Sequence, residues 1–381
     1  MDSIKIIQSE LKRKREVEEE NEELKKQKRE VEKENNTLKK QKREIEEGLY
    51  NDKEVMLIVL KKYPMKLNFE IVKLAVSEFL KNSPMKLKYA SPELKNNFEI
   101  VKIVVSKDIR ALQYASTDLK NNFEIVKMAV SQCGFALRYA SEELQNNFEI
   151  VKIAVSQDGH ALGFASPDLQ NNFDIVKMAV SKCGLALQYA SQELKNNFEI
   201  VKMAVNNSGC ALEYASPDLK NNFEIVKTAV SKHCFSGWAL QYASPELKNN
   251  FEIVKLAVSK IGFALQSASE ELKNNFEIVK IAVTRHGPAL QCASPELQGN
   301  FDIVKMAVSQ NGYGLVSASP ELKNNFEIVK IAVSKNGDTL RFASSELQQN
   351  TELIALANKK KINQRKKKHN TYTKQKIISK I

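Results

Sequence analysis

The stretch Asn122-Phe-Glu-Ile-Val-Lys-Met-Ala-Val130 recurs along the chain at a 25-residue period. Its Phe stands at Phe98, Phe123, Phe148, Phe173, Phe198 and Phe223, then, after one three-residue slip, at Phe251, Phe276, Phe301 and Phe326. An earlier copy begins at Phe69, which brings the total to about eleven. A unit this short cannot bury its own apolar face, so it gains order only by lying against the units before and after it. The expectation is an all-α fold: an α-solenoid of about eleven 25-residue helix–turn–helix repeats.

The residue before each Phe is Asn: Asn68, Asn97, Asn122, Asn147, Asn172, Asn197, Asn222, Asn250, Asn275, Asn300 and Asn325. An Asn side chain there accepts from the exposed N–H groups of a first helical turn, which makes it the N-cap. Glu or Asp follows two positions later, where the helix dipole favours negative charge. The helix then reads on to a glycine (Gly134, Gly159, Gly184, Gly209, Gly262, Gly287, Gly312, Gly337), taken as a left-handed helix end. Phe123, Ile125, Val126, Met128, Ala129 and Val130 make an apolar surface wide enough for packing on more than one side. Only Glu124, Lys127 and Ser131 are left for solvent. A shorter helix, Ala-Leu-Gln-Tyr-Ala (Ala111–Ala115, Ala186–Ala190), comes next. Ser-Pro-Glu-Leu (Ser216–Leu219, Ser244–Leu247) is then a second start signal, with Ser as cap and Pro at the first helical position.

Three segments follow. Residues 1–48 contain no Pro and no Gly before Gly48, and Val17, Leu24, Val31, Leu38 and Ile45 fall seven apart. The companion row is polar (Asn21, Lys28, Asn35, Lys42), so both a homodimeric coiled coil and a lone, salt-bridged helix stay open. Residues 49–358 hold the repeats; Asn350-Thr-Glu-Leu-Ile-Ala-Leu-Ala357 keeps the cap and loses the Phe. Residues 359–381 carry ten Lys/Arg and no acid, and read as a basic disordered tail. Residues 1–48 are balanced at 14 basic and 14 acidic, so most of the +12 net charge belongs to the tail. That lowers the case for a nucleic-acid groove along the repeats.

The repeated pattern Asn-Phe-Glu-Ile-Val-Lys-x-Ala-Val, Ser-Lys-x-Gly, Ala-Leu-x-Tyr-Ala-Ser-x-Glu-Leu resembles the family known as domain of unknown function 4116, over roughly residues 49–358. The resemblance implies a helical repeat found in protists, giant DNA viruses and some intracellular bacteria, so a host cell is one setting for it. It implies no activity and brings no catalytic residues.

One position changes from unit to unit while its neighbours barely change. Just after the glycine stand Arg110, Phe135, His160, Leu185, Cys210, Trp238, Phe263, Pro288, Tyr313 and Asp338. A variable row on a constant scaffold is where a repeat protein reads a partner, and aromatic residues anchor interfaces. The alternative is a loosely packed turn that accepts any residue. Trp238, the sole Trp, lies at the slip and reads either as a local anchor or as an indole covering the core under an absorbed insertion. The Glu/Lys pairs that follow each Phe read as a solvated face. In the tail, Lys359, Lys360, Lys361, Arg365, Lys366, Lys367 and Lys368 suit an import signal, a nucleic-acid anchor, an anionic-surface anchor or an inert end.

Five scattered cysteines without paired spacing fit free thiols in a reducing compartment. No apolar run is long enough for a membrane span, and Met1–Lys12 lacks a signal-peptide core. His233, Cys234, Cys210 and His160 lack zinc-ligand spacing, and no nucleophile–base–orienter set or phosphate loop is legible. The expectation is therefore an intracellular, cytoplasmic or nuclear scaffold for protein partners, without cofactor, metal or enzymatic activity. The alternative is a nucleic-acid-associated protein anchored by its tail.

Overall fold

The computed structural model describes residues 22–23, 25–33, 36, 84–90, 92–231 and 236–362. The copy at Asn68 and Phe69 and most of residues 1–48 lie outside them. Among the described residues there is no strand, and every complete repeat has the same three pieces in the same order. In one of them, helix Phe173–Lys182 leads to a 3₁₀ turn, Gly184–Tyr189, and then to a four-residue helix, Gln192–Lys195. The repeats stack as an all-α solenoid.

The caps are where the sequence places them. Asn172 is extended (φ −83, ψ 120) and its Oδ1 accepts the Ile175 N–H at 3.1 Å. Asn97, Asn122, Asn147, Asn197, Asn222, Asn250, Asn275, Asn300 and Asn325 make the same bond to the residue three on. Ser191 caps the short helix by accepting the Leu194 N–H at 3.2 Å.

The glycine reading is corrected. No described residue, glycine included, has a positive φ. The long helix ends instead on an extended residue such as Cys183 (φ −142, ψ 112), whose N–H returns to the Ala179 carbonyl. Glycine then opens the 3₁₀ turn because it lies hard against the next repeat. A Cβ on Gly159 would fall on the Ala179 carbonyl oxygen, one on Gly184 on that of Ala204, and one on Gly262 on that of Ala282. Close approach selects glycine here, and backbone handedness does not.

The core is corrected as well. Each long helix buries a four-residue stripe, such as Ile200, Val201, Ala204 and Val205, all at 0% exposure. Ala211 and Leu212 of the turn complete the layer. Fully burying each Ile, Val or Leu contributes roughly 1.5–3 kcal/mol. The phenylalanines, expected in the core, are not there: Phe123, Phe198, Phe223 and Phe251 are 38–39% exposed and Phe148 is 44% exposed. The fully buried layers are built mainly of Ile, Val, Ala and Leu.

The chain divides into two compact units, one ending at Leu144 and the other beginning at Gln145. In the first, helix Phe98–Lys107 packs on Phe123–Gln132. In the second, Phe173–Lys182 packs between Phe148–Gln157 and Phe198–Asn207, and the layering runs on through Phe326–Lys335.

Polar ties join consecutive layers. The Ser191 N–H donates to the Gln170 carbonyl at 3.0 Å, while its hydroxyl donates to Asn171 Oδ1 at 2.5 Å. The same clasp recurs at Ser216 and Ser269. At Gly299 the Asn is missing: Ser319 keeps its backbone bond to Gln298, but its cap to Leu322 lengthens to 3.4 Å. Beyond the slip the register is recovered, with Ser244 N–H on the Lys220 carbonyl at 3.0 Å and Lys227 paired to Glu252 at 2.7 Å.

At the N-terminal end the described residues between 22 and 36 are helical, and Val31, on the proposed seam, is 56% exposed. At the other end helix continues through 351–362, so Lys359, Lys360 and Lys361 belong to the last helix and not to a disordered tail. Lys361 pairs with Asp338 at 3.1 Å. Arg365, Lys366, Lys367 and Lys368 lie outside the described residues. Among the described residues no helix is long and apolar enough to cross a membrane.

Candidate functional site

The 3₁₀ turn dictates where the variable row points. Its first, third and fourth residues (Gly184, Ala186, Leu187) are buried, which leaves the second, Leu185, facing out. By the same geometry Arg110, Phe135, His160, Cys210, Trp238, Phe263, Pro288, Tyr313 and Asp338 are all exposed or half-buried. Trp238 falls into line with the row at 37% exposure, since Gly237 before it takes the usual close contact: its Cβ would stand 2.7 Å from the Ala257 carbonyl oxygen. Trp238 is therefore a member of the row, and its indole is not a cover over the core.

The row is not loosely packed. His160, Phe263 and Tyr313 lean toward the next repeat, onto the residue before that repeat's glycine or onto the aromatic at the end of its turn. Phe263 stacks on His286 with ring centroids 5.7 Å apart, and Tyr313 meets Phe342 at 6.1 Å. His286 is held in place because its Nδ1 accepts the Gly262 N–H at 3.0 Å. Arg110 is folded back on Asp108 in a two-pronged pair, Nε to Oδ1 at 2.9 Å and Nη2 to Oδ2 at 2.6 Å. That guanidinium holds the Asp108 carboxyl below its usual range. Burial pushes the Cys210 thiol up, with the Glu213 carboxylate adding to it. Glu213 also accepts from the Tyr242 hydroxyl, which burial and that carboxylate together push up.

His160 sits in a tighter cluster. Its Nδ1 lies 3.2 Å from Asp158 Oδ1 and its Nε2 lies 3.7 Å from Cys183 Sγ. The Tyr189 ring stands edge-on to the imidazole at 6.3 Å. Gly163 makes room for it, since a Cβ there would come within 2.8 Å of that ring. The structure thus brings Asp158, His160 and Cys183 together, a juxtaposition that was not read from the sequence. The three residues lie in two repeats, and the signal was register: Cys183 follows His160 by two residues less than one period.

A second surface was not read from the sequence. Most of the exposed Phe rings carry the Lys four residues on over their face, as with Lys127 on Phe123 and Lys255 on Phe251, both 5.3 Å from the centroid. The same lysines reach the Glu of the following repeat: Lys102–Glu124, Lys177–Glu199, Lys202–Glu224, Lys255–Glu277, Lys305–Glu327 and Lys330–Glu352, all at 2.6–2.8 Å. The Glu/Lys row is a ladder between repeats and not a set of pairs along one helix. It skips Lys152 and Lys280, which make no ion pair among the described residues; the facing residues are Asp174 and Asp302, one methylene shorter. Phe148 and Phe276 beside those rungs are the most exposed of the set, at 44% and 43%.

No group of three or more His, Cys, Asp or Glu among the described residues has the arrangement of a metal site. A shallow polar hollow of about 590 Å³ lies between Asp118 and Glu143, lined by hydroxyl, amide and carboxylate groups.

Comparison with known proteins gives one family match. The model described as a domain of unknown function, DUF4116, matches residues 68–120, 122–170, 172–220, 198–248, 222–267, 250–298 and 300–348. Each match spans about two of the periods described above. No curated protein matches the sequence.

Proposed function

This chain belongs to the DUF4116 family, and from that premise we propose that it is a non-enzymatic scaffold. It would bind protein partners on the band formed by its 3₁₀ turns. The observation that carries the reading is one outward position per repeat that varies between turn residues that are nearly constant. Gly, Ala and Leu are buried at fixed sites, while the residue between them runs through Phe135, His160, Trp238, Phe263 and Tyr313. His160, Phe263 and Tyr313 are half-buried and braced by the next repeat, so little of their side-chain freedom is lost on binding. The free thiols of Cys133, Cys183, Cys210 and Cys292 suit a reducing, intracellular setting, cytoplasmic or nuclear.

The test compares partners captured by the intact protein with those captured by a variant changed to Ala at Phe135, Trp238, Phe263 and Tyr313, its helicity first checked by circular dichroism. Loss of partners on the variant supports the band. Retention of every partner overturns it. The ten Lys/Arg of residues 359–381 favour a second reading, nucleic-acid association through the tail. In that case a chain ending at residue 358 should lose nucleic-acid binding, and the intact protein's affinity should fall steeply with salt.

A further inference from the structure

We propose that Cys183 is a reactive thiol, activated by His160 and oriented by Asp158, and that it is a site of oxidation by peroxide or of attack on soft electrophiles. The geometry supplies each role. Asp158 Oδ1 accepts the His160 backbone N–H at 2.9 Å and faces Nδ1 at 3.2 Å. A carboxylate there fixes the tautomer with the proton on Nδ1, which leaves Nε2 as an acceptor toward Cys183 Sγ at 3.7 Å. The thiol proton then has a base to go to. All three groups are half-buried rather than sealed, and the side chains of His160 and Asp158 are 32% and 36% exposed, so a small reagent can reach the sulfur.

The chain carries its own control. Cys133 occupies the same register, preceded at the same spacing by Asp108 and Arg110. Both cysteines are half-buried, and both end a long helix in extended conformation. The titratable difference is Arg110 for His160, and a guanidinium cannot take a thiol proton; Ile109 and Gln113 also stand where the other site has Gly159 and Gly163. At Cys210 and Cys292 burial pushes the thiol up.

The reaction balances without a further reactant. The Cys183 sulfur gives its proton to His160 Nε2 and attacks one oxygen of hydrogen peroxide; the S–O bond forms and the O–O bond breaks. The imidazolium returns the proton to the departing hydroxide, leaving a sulfenic acid and water. With iodoacetamide the same sulfur displaces iodide.

The test uses the full-length protein and reads the alkylation rate of each cysteine by mass spectrometry of its peptides, with iodoacetamide at pH 6. There an unpaired thiol, with its usual value of about 8.5, is almost wholly protonated. With the His160 imidazole placed to take the thiol proton as the sulfur attacks, the expected advantage of Cys183 over Cys133 is about 5-fold. His160→Arg, which copies the arrangement the chain already holds at Arg110, should erase that advantage. Arg110→His should confer it on Cys133. Dilute hydrogen peroxide followed by a sulfenic-acid trap should label the same cysteine in each protein. Equal rates at Cys183 and Cys133, or an unchanged Cys183 rate in His160→Arg, would overturn the proposal. So would an inert Cys133 in Arg110→His.

Discussion

Replacing Gly262 by Ala tests why the repeat spacing demands glycine. The added methyl would land on the Ala282 carbonyl oxygen and lie 3.2 Å from both the Ala282 carbonyl carbon and His286 Cβ. Two of these three atoms are backbone, so no rotamer change relieves the overlap and two repeats must move apart. Overpacking of this kind costs about 1–3 kcal/mol. Against it, Gly→Ala at an ordinary φ stabilises by about 0.4–1 kcal/mol, because the unfolded chain loses freedom. The net expectation is a loss of about 1–2 kcal/mol. A long array need not unfold as one unit, so a single denaturation midpoint would blur the effect. Hydrogen exchange resolves it: protection of amides in the two flanking long helices should fall roughly 5- to 30-fold, while helices several repeats away stay unchanged. Gly299→Ala is the control. Its Cβ would meet nothing closer than 3.4 Å and its backbone is ordinary (φ −93, ψ −4), so the expected change is a gain of a few tenths of a kcal/mol. If Gly262→Ala behaves like Gly299→Ala, close approach is not what selects the glycine.

Three further outcomes are expected. Asp174→Glu and Asp302→Glu should complete the two missing rungs of the ladder and raise the thermal midpoint at low salt. The gain should vanish at 1 M salt, where the screening length is about 3 Å; a gain indifferent to salt would mean that the added methylene acts by packing. Asn197→Ala removes the acceptor for the Ile200 N–H and should cost about 1 kcal/mol, read as faster hydrogen exchange confined to the first turn of Phe198–Asn207. Lys177 and Lys305 are raised above 10.5 by their bonds to Glu199 and Glu327, and Tyr242 above 10.0 by burial and by Glu213. Raised folded values contribute stability that is full below the unfolded value and lost as pH climbs through the folded one. The thermal midpoint should therefore hold level up to about pH 10 and fall beyond it, and Tyr242→Phe should shrink the fall; a level profile to pH 11.5 would refute the assignment.

Period, caps and helix order were legible because each rests on neighbours in sequence: Asn172 reaches only as far as Ile175, and Ser191 only as far as Leu194. The phenylalanine was misread because apolar character was counted without angle. At about 100° per residue, the Ile, Val, Ala and Val of the stripe share one arc. The Phe falls roughly 90° from the middle of that arc, at its margin and next to the Lys one turn on. The lysine then shields the ring face that the core leaves bare. The glycine was misread for the opposite reason, since what it avoids is a carbonyl 20 residues away, as Gly262 avoids Ala282. Asp158, His160 and Cys183 escaped notice because ligand and catalytic spacings are usually judged within a segment. Here the scaffold folds one period onto the next, and a separation of 23 residues becomes a distance of 3.7 Å.

The recovery of register beyond the slip has a practical meaning. Three extra residues enter between Ser231 and Ser236, yet the clasp from Ser244 to Lys220 and the rung from Lys227 to Glu252 both survive. The layers on either side of residues 232–235 thus keep their register when the sequence between them lengthens. Peptide epitopes or fluorophore tags spliced there should leave the neighbouring layers undisturbed, whereas the same insert between Asn197 and Ile200 would displace a cap and break the stack.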